Sequence, residues 1–293
     1  MKRLSFRTLL YWLAPTAGVG TLAGQVRTPA VAGVSVDTMS GLRSRFLAET
    51  PVIRVFLPPG YAESRARYPV LYANDGQDME AVGLSRTIDS LVAAGRMSPV
   101  IVVAVHAGEE RLQNYGTADQ PNAQGLGARA QAYERFMVTE LVPAIRHRYR
   151  TGPGAAIMGW SLGGLSAFDL AWRNRDTFQQ VGVFSGSFWW RTDDSSTASK
   201  QSSRIMHRRV RETGRPDGLR AWFEAGRQDE KDDRDMNGVI DAIQDTRELI
   251  AVLVEKGMRE SDLQYLEADG GHNVETWGKV LPQFLVWAFG RAR

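Results

Sequence analysis

The 293-residue chain contains no cysteine. That removes disulfides, thiol catalysis and cysteine-ligated zinc, and leaves the redox compartment open. Histidine is scarce, with only four residues, so a histidine base can only be His106, His147, His207 or His272. No internal repeat or low-complexity tract is present. There is no apolar run long enough to span a bilayer: the best, from Thr8 to about Ala23, is broken by Pro15 and several glycines. Long basic runs are missing too. The net charge of +3 includes Lys2, Arg3 and Arg7, and residues 1–25 hold no acid. Without that segment the chain is neutral overall, with arginines scattered among acids, which excludes a nucleic-acid-binding surface.

The first 25 residues have a positive start, a short apolar stretch and small residues around Leu22-Ala23-Gly24. That order predicts a bacterial-type export signal and a secreted or periplasmic mature protein with no membrane span. Residues 26–40 read as a linker, with Pro29 to Val36 leading into the first strands, and residues 41–293 as one domain, a size that can bury a full core. The sequence carries no signal of oligomeric state.

Strand and helix patterns alternate from Tyr68 onward. Val52–Leu57 alternates and stops at Pro58-Pro59-Gly60. Tyr68–Ala73 is stopped by Asn74-Asp75-Gly76, and Pro99–Val105 is an apolar run fit for burial on both faces. Helical spacing is expected over Ser85–Ala94, Ala128–His147, Leu162–Phe178, Ile205–Thr213, Val239–Lys256 and Asn273–Phe289. Further strands are expected over Ala155–Trp160, Val181–Phe184, Leu219–Ala225 and Leu263–Glu267. The alternation implies a mostly parallel sheet with helices on both faces, the fold class α/β. Ligands on such sheets bind beyond the carboxyl ends of the strands.

Gly159-Trp160-Ser161-Leu162-Gly163 is a G-x-S-x-G sequence followed by Gly164, set between a buried strand and a helix. A strand turning sharply into a helix crowds the residues two before and two after the serine, and glycine relieves both. The turn lifts the Ser161 hydroxyl above the sheet and puts the Leu162 amide at a helix N-terminus, where it can meet developing negative charge. A serine hydroxyl needs an adjacent base. His147, at a solvated helix end, and His207, in another basic helix, read as surface or packing residues. His106 closes a strand and could reach the sheet edge. His272, on the turn after the last strand, fits the chain order serine, acid, histidine of α/β-hydrolases. The acid should follow the preceding strand. Asp229 comes soonest after Gly226, with Glu230, Asp232 and Asp233 as rivals. A second oxyanion donor is expected in the turn after Ala73, where Gly76 allows close approach and the Gln77 amide is the candidate.

Together these segments resemble the esterase family that includes esterase D, enterochelin esterases, feruloyl esterase domains and the mycolyltransferases. The resemblance covers roughly residues 45–290. It rests on Tyr68–Gly76, Gly159–Gly164, Ser185-Gly-Ser-Phe-Trp-Trp190, Gly226–Asp229 and Gly270-Gly-His272. It implies the α/β-hydrolase fold, a triad of Ser161, Asp229 and His272, and oxyanion amides at Leu162 and Gln77. Many members carry His-Gly where this chain has Asp75-Gly76, which resembles the mycolyltransferase and related branches.

The expected reaction is hydrolysis of a small-molecule ester through an acyl-enzyme, on an extracytoplasmic carbohydrate or siderophore ester, with no cofactor required. Acyl transfer to an alcohol with the same triad, or ligand binding without catalysis on a hydrolase fold, are the alternatives. Trp160, Trp189 and Trp190 lie near the expected strand ends and could stack on a sugar or aryl ring. The long polar loop 106–127, with Arg111, Asn114 and Tyr115, is the expected wall of the cleft. Asp233, Asp235, Asn237, Val239 and Asp241 sit at alternate positions around Gly238, as in an EF-hand-type loop, and suggest a structural calcium, although Gln244 stands where such a loop has its closing glutamate.

Overall fold

The structure is a computed structural model that describes residues 33–214 and 217–291. The segment 1–25, expected to be an export signal, lies outside the described residues. Eight strands form one sheet: β1 (Ser35–Thr38), β2 (Ile53–Leu57), β3 (Tyr68–Ala73), β4 (Ile101–Val105), β5 (Thr151–Trp160), β6 (Gln180–Phe184), β7 (Arg220–Gln228) and β8 (Leu263–Gly271). Their order is β1-β2-β4-β3-β5-β6-β7-β8. β2 pairs antiparallel with both β1 and β4, and all later pairings are parallel. This is the α/β-hydrolase arrangement.

The helices are α1 (Leu84–Ala93), α2 (Arg111–Asn114), α3 (Ala130–Arg135), α4 (Val142–Arg148), α5 (Leu162–Arg173), α6 (Thr197–Ser202), α7 (Ile205–Glu212), α8 (Asp241–Glu255) and α9 (Val274–Phe289). α1 and α9 cover one sheet face, bringing Leu84, Ile88, Trp277 and Phe284 against Val102, Met158 and Trp222. Residues of α3, α4, α5, α7 and α8 cover the other, packing Tyr133, Ile145, Phe168, Met206 and Leu249 around Val103, Ile157 and Phe223. Every residue of β4 is buried, because a central parallel strand has helices over both of its faces. No helix among the described residues is long and apolar enough to cross a membrane.

Two expectations are corrected. The 26–40 linker is not structureless throughout: Ser35–Thr38 pairs with Leu57–Arg54 as the edge strand β1. Its polar sequence gave no alternation, since a four-residue edge strand buries little. The single helix over 128–147 is three pieces, α3, a π-helical turn at Phe136–Leu141, and α4. Pro143 in the first turn of α4 explains the break. It has no N–H to give the helix and its ring collides with the carbonyl four residues earlier, so the backbone widens there.

Candidate active site

β5 ends at Trp160, and the chain reverses at Ser161 with φ 57° and ψ −131° before α5 begins. A non-glycine residue in that region is strained by about 1–3 kcal/mol and persists only where its surroundings enforce it. The enforcement is visible. The Ser161 amide donates to the Phe184 carbonyl at 2.8 Å, and its own carbonyl accepts from Gly164, Leu165 and Ser187. A methyl group on Gly159 would lie 2.3 Å from the Gly163 carbonyl oxygen, and one on Gly163 would lie 2.3 Å from Asp75 Oδ2. The two glycines are therefore required by contact. As the first residue of α5, Leu162 has an amide with no acceptor inside the helix.

Facing this bend is the turn after β3. Asp75 is buried in the left-handed conformation, φ 55°, and Gly76 opens a short 3-10 turn through Asp78. A methyl on Gly76 would lie 2.7 Å from the Ala104 carbonyl carbon, so the turn packs onto the end of β4. Several residues pin it. Asn74 donates to the Gly163 carbonyl at 2.8 Å, and Tyr133 donates to Asn74 Oδ1 at 2.7 Å. The Asp75 amide donates to the Tyr115 hydroxyl at 3.1 Å. Arg111 grips the Asp75 carboxylate in two-pronged fashion, Nε to Oδ1 at 2.7 Å and Nη2 to Oδ2 at 3.0 Å. Burial raises the Asp75 pKa and Arg111 opposes that rise. The Gln77 side chain bends back, accepting the Ala107 amide at 3.1 Å, and Gln77 itself is the middle residue of the 3-10 turn.

The third part lies at the ends of β7 and β8. Pairing continues to Gln228 opposite Gly271, across an irregularity after Gly226. Asp229 folds back so that Oδ2 accepts the Gly226 amide at 3.0 Å. Its other oxygen, Oδ1, faces His272 Nδ1 at 3.9 Å, an ion-pair separation longer than a hydrogen bond. The imidazole meets Trp277 edge-on at 5.3 Å between centroids. Burial lowers the His272 pKa, Asp229 raises it and Arg111 lowers it, with a net fall. Asp229 is raised by burial, against hydrogen bonding from Ser185 and Gly226.

The structure thus brings Ser161, Leu162, Gln77, Asp229 and His272 to the carboxyl edge of the sheet. The rivals lie elsewhere. Glu230 accepts the Ala242 amide at the start of α8. His207 is buried and bonded through Nε2 to the Asp245 carbonyl, and His147 is exposed on α4. Sequence reading missed Asn74, Tyr133 and Ser185 as supports of this edge.

Three of the four expected substrate contacts are corrected. Trp160 is buried, stacked on Trp277 at 5.3 Å and 11°, and its Nε1–H donates to Asp78. Trp190 is buried against Gly116 and Gly127. Tyr115 is fully buried, its hydroxyl spent on Asp75. Only Trp189 is partly exposed. The calcium set is not assembled either. Asp233 accepts the Asn237 and Gly238 amides, Asp235 accepts from Gln244, and Asn237 Oδ1 accepts the Val239 amide. Asp241 pairs at 3.0 Å with the buried guanidinium of Arg234, which also holds Asp245 at 2.7 Å. Arg234 thus already pairs with Asp241, and among the described residues no three His, Asp or Glu side chains converge as metal ligands.

Fold and site together define an α/β-hydrolase. The sequence pattern of the "Putative esterase" family matches residues 44–288, and the chain belongs to that family. Esterase Rv1288 of Mycobacterium tuberculosis is 31% identical over 152 residues, which are 49% of this chain and 30% of that protein. The chain therefore spans under a third of that relative. Two solved structures share the fold. A ferulic acid esterase superposes with a TM-score of 0.66 at 23% identity, covering 87% of this chain and 97% of the other. The enterobactin esterase Fes of Shigella flexneri superposes with a TM-score of 0.65 at 19% identity, covering 87% and 59%. Membership makes carboxylic-ester hydrolysis the class of reaction for this chain.

Proposed function

We propose that the chain is a serine carboxylic-ester hydrolase acting through an acyl-enzyme on an extracytoplasmic ester. The observation that carries this reading is the strained Ser161 bend, at φ 57° and ψ −131°, which faces a pinned 3-10 turn on the same sheet edge where Asp229 and His272 follow β7 and β8. Strain of that kind at a strand-to-helix turn has a use when the hydroxyl must stand clear of the backbone.

In the acylation half, Ser161 Oγ attacks the ester carbonyl carbon while His272 takes its proton. The carbonyl oxygen becomes negative between the Leu162 and Gln77 amides. Each such donor is worth about 3 kcal/mol of barrier. His272 then gives the proton to the departing alcohol oxygen as the carbon–oxygen bond breaks. In the second half water repeats the attack with His272 as base, and the acid leaves with Ser161 restored. Asp229 orients the ring and stabilises it while charged. For this the imidazole must close on Asp229 from 3.9 Å and on the Ser161 hydroxyl, with which it shares no hydrogen bond in this conformation. Such contacts tighten when substrate arrives.

Ser161→Ala should abolish turnover of a short p-nitrophenyl ester. Turnover retained at the wild-type rate overturns the assignment. The natural ester is sought among carbohydrate, feruloyl and siderophore esters, the last two suggested by the names of the structural relatives. Export by the 1–25 segment is read from fractionation of the expressing cell: mature protein found only in the cytoplasm overturns it.

A further inference from the structure

Behind Asp229 lies a second carboxyl group that the mechanism above does not use. Glu224 is in the middle of β7, opposite Phe184 of β6 on one side and Leu266 of β8 on the other, and is fully buried. Neither of its carboxyl oxygens has a hydrogen-bond partner among the described residues, and Asp229 Oδ1 has none either. A carboxylate with no cation beside it in such a place takes up a proton instead, even though Ser185 offers hydrogen bonding that opposes the rise.

Between the two acids sits Ser185, the first residue after β6, held at φ 48°. Its amide donates to the Glu224 carbonyl at 2.8 Å, and its hydroxyl oxygen accepts the Trp277 indole N–H at 2.9 Å. The side chains of both Glu224 and Asp229 adjoin that hydroxyl. A serine has one proton to give and two lone pairs to fill. With Trp277 on one lone pair, every group is satisfied if neutral Glu224 donates to the other and the serine O–H goes to Asp229.

We propose that Glu224 is a positioning residue of this active site: a neutral carboxylic acid that, through the Ser185 hydroxyl, holds the Asp229 carboxylate in place behind His272. The proposal rests on the triad reading above. Burial, and then the nearby Asp229 charge, push the Glu224 pKa up to about 8, so the acid is neutral over the range in which His272 works as a base. From β6 comes Phe184, from the residue after it Ser185, from β8 Leu266 and from α9 Trp277, all uncharged. Asp229 is the charged group whose field acts on Glu224, and His272 lies beyond it, itself acted on by Arg111. Once Glu224 ionises, two anions compete for one serine proton and Asp229 loses its support.

The test is the pH profile of p-nitrophenyl ester turnover by the full chain and its Glu224→Gln, Glu224→Ala and Ser185→Ala variants, with Ser161→Ala alongside. Wild type should lose kcat through an alkaline limb near pH 8, where the acid ionises. Glutamine stays neutral and can still donate, so E224Q should lack that limb. E224A should lower kcat about tenfold at neutral pH with KM little changed, the kinetic equivalent of one hydrogen bond. The glutamine variant should recover most of that loss, and S185A, which cuts the relay, should move the same limb. Superimposable wild-type and E224Q profiles from about pH 6 to about pH 9.5 overturn the proposal. If E224Q does not fold, an S185A limb unmoved from wild type does the same. Loss of turnover in S161A with those null results leaves the triad reading standing and removes only this one. Wild-type turnover in S161A removes both.

Discussion

Replacing Glu224 by glutamine should stabilise the protein, and by an amount that grows with pH. The native state holds the Glu224 proton up to about pH 8, whereas an unfolded chain releases it near 4.5. A raised native pKa means that stability is fully present below the unfolded pKa and is lost as pH rises through the native one. Between those values each pH unit removes about 1.4 kcal/mol. By linkage the native state has lost about 1.4 kcal/mol at pH 5.5 and about 4 kcal/mol at pH 7.5. Glutamine does not titrate, so its own burial contributes equally at both. The stability difference between E224Q and wild type should therefore grow by about 2.5 kcal/mol from pH 5.5 to pH 7.5 in favour of the variant. Urea unfolding of both proteins at the two pH values measures it. A difference that is the same at both, within about 0.5 kcal/mol, would mean that Glu224 is ionised or solvated in the native state, and the reasoning fails.

The acid limb of kcat/KM should fall below pH 6.5, because the base must be neutral and burial lowers the His272 pKa from that value; a limb above 6.5 would refute this. Gly163→Ala puts a methyl 2.3 Å from Asp75 Oδ2. It should lower kcat about tenfold or more by shifting the Gln77 amide, although alanine is the better helix former; an unchanged kcat contradicts the role given to that turn. Trp190→Ala should cost about 3–5 kcal/mol of stability from the core, and Trp189→Ala about 1 kcal/mol or less. Thermal or chemical unfolding separates the two, and equal losses would refute the burial assignment.

Much of this site was legible because its signals are local. The apolar runs at Ile101–Val105 and Ala156–Trp160 mark central strands directly. Gly159 answers to a contact within the Ser161 bend itself, and Asp229 and His272 follow strands that end side by side. What stayed hidden depends on distant packing. Arg111 and Asp75 are 36 residues apart, and nothing in either segment alone pairs them. The three tryptophans were placed correctly at the strand ends. However, the burial of Trp160 and Trp190 follows from Trp277 of α9 and from Gly116 and Gly127 of the loop, which only the assembled fold supplies. One missed signal was in plain view: Glu224 is the lone acid inside the apolar run Ala221–Ala225 of a central strand.

The two-pronged grip of Arg111 on Asp75 makes the 106–127 loop and the turn after β3 a single mechanical part. A substrate group that tugs the guanidinium also tugs the peptide next to Gly76, on which transition-state charge would rest. Selectivity and speed then cannot be tuned separately from that side of the cleft. Redesigning the loop for a different ester would have to leave this clasp alone, or rebuild the turn along with it.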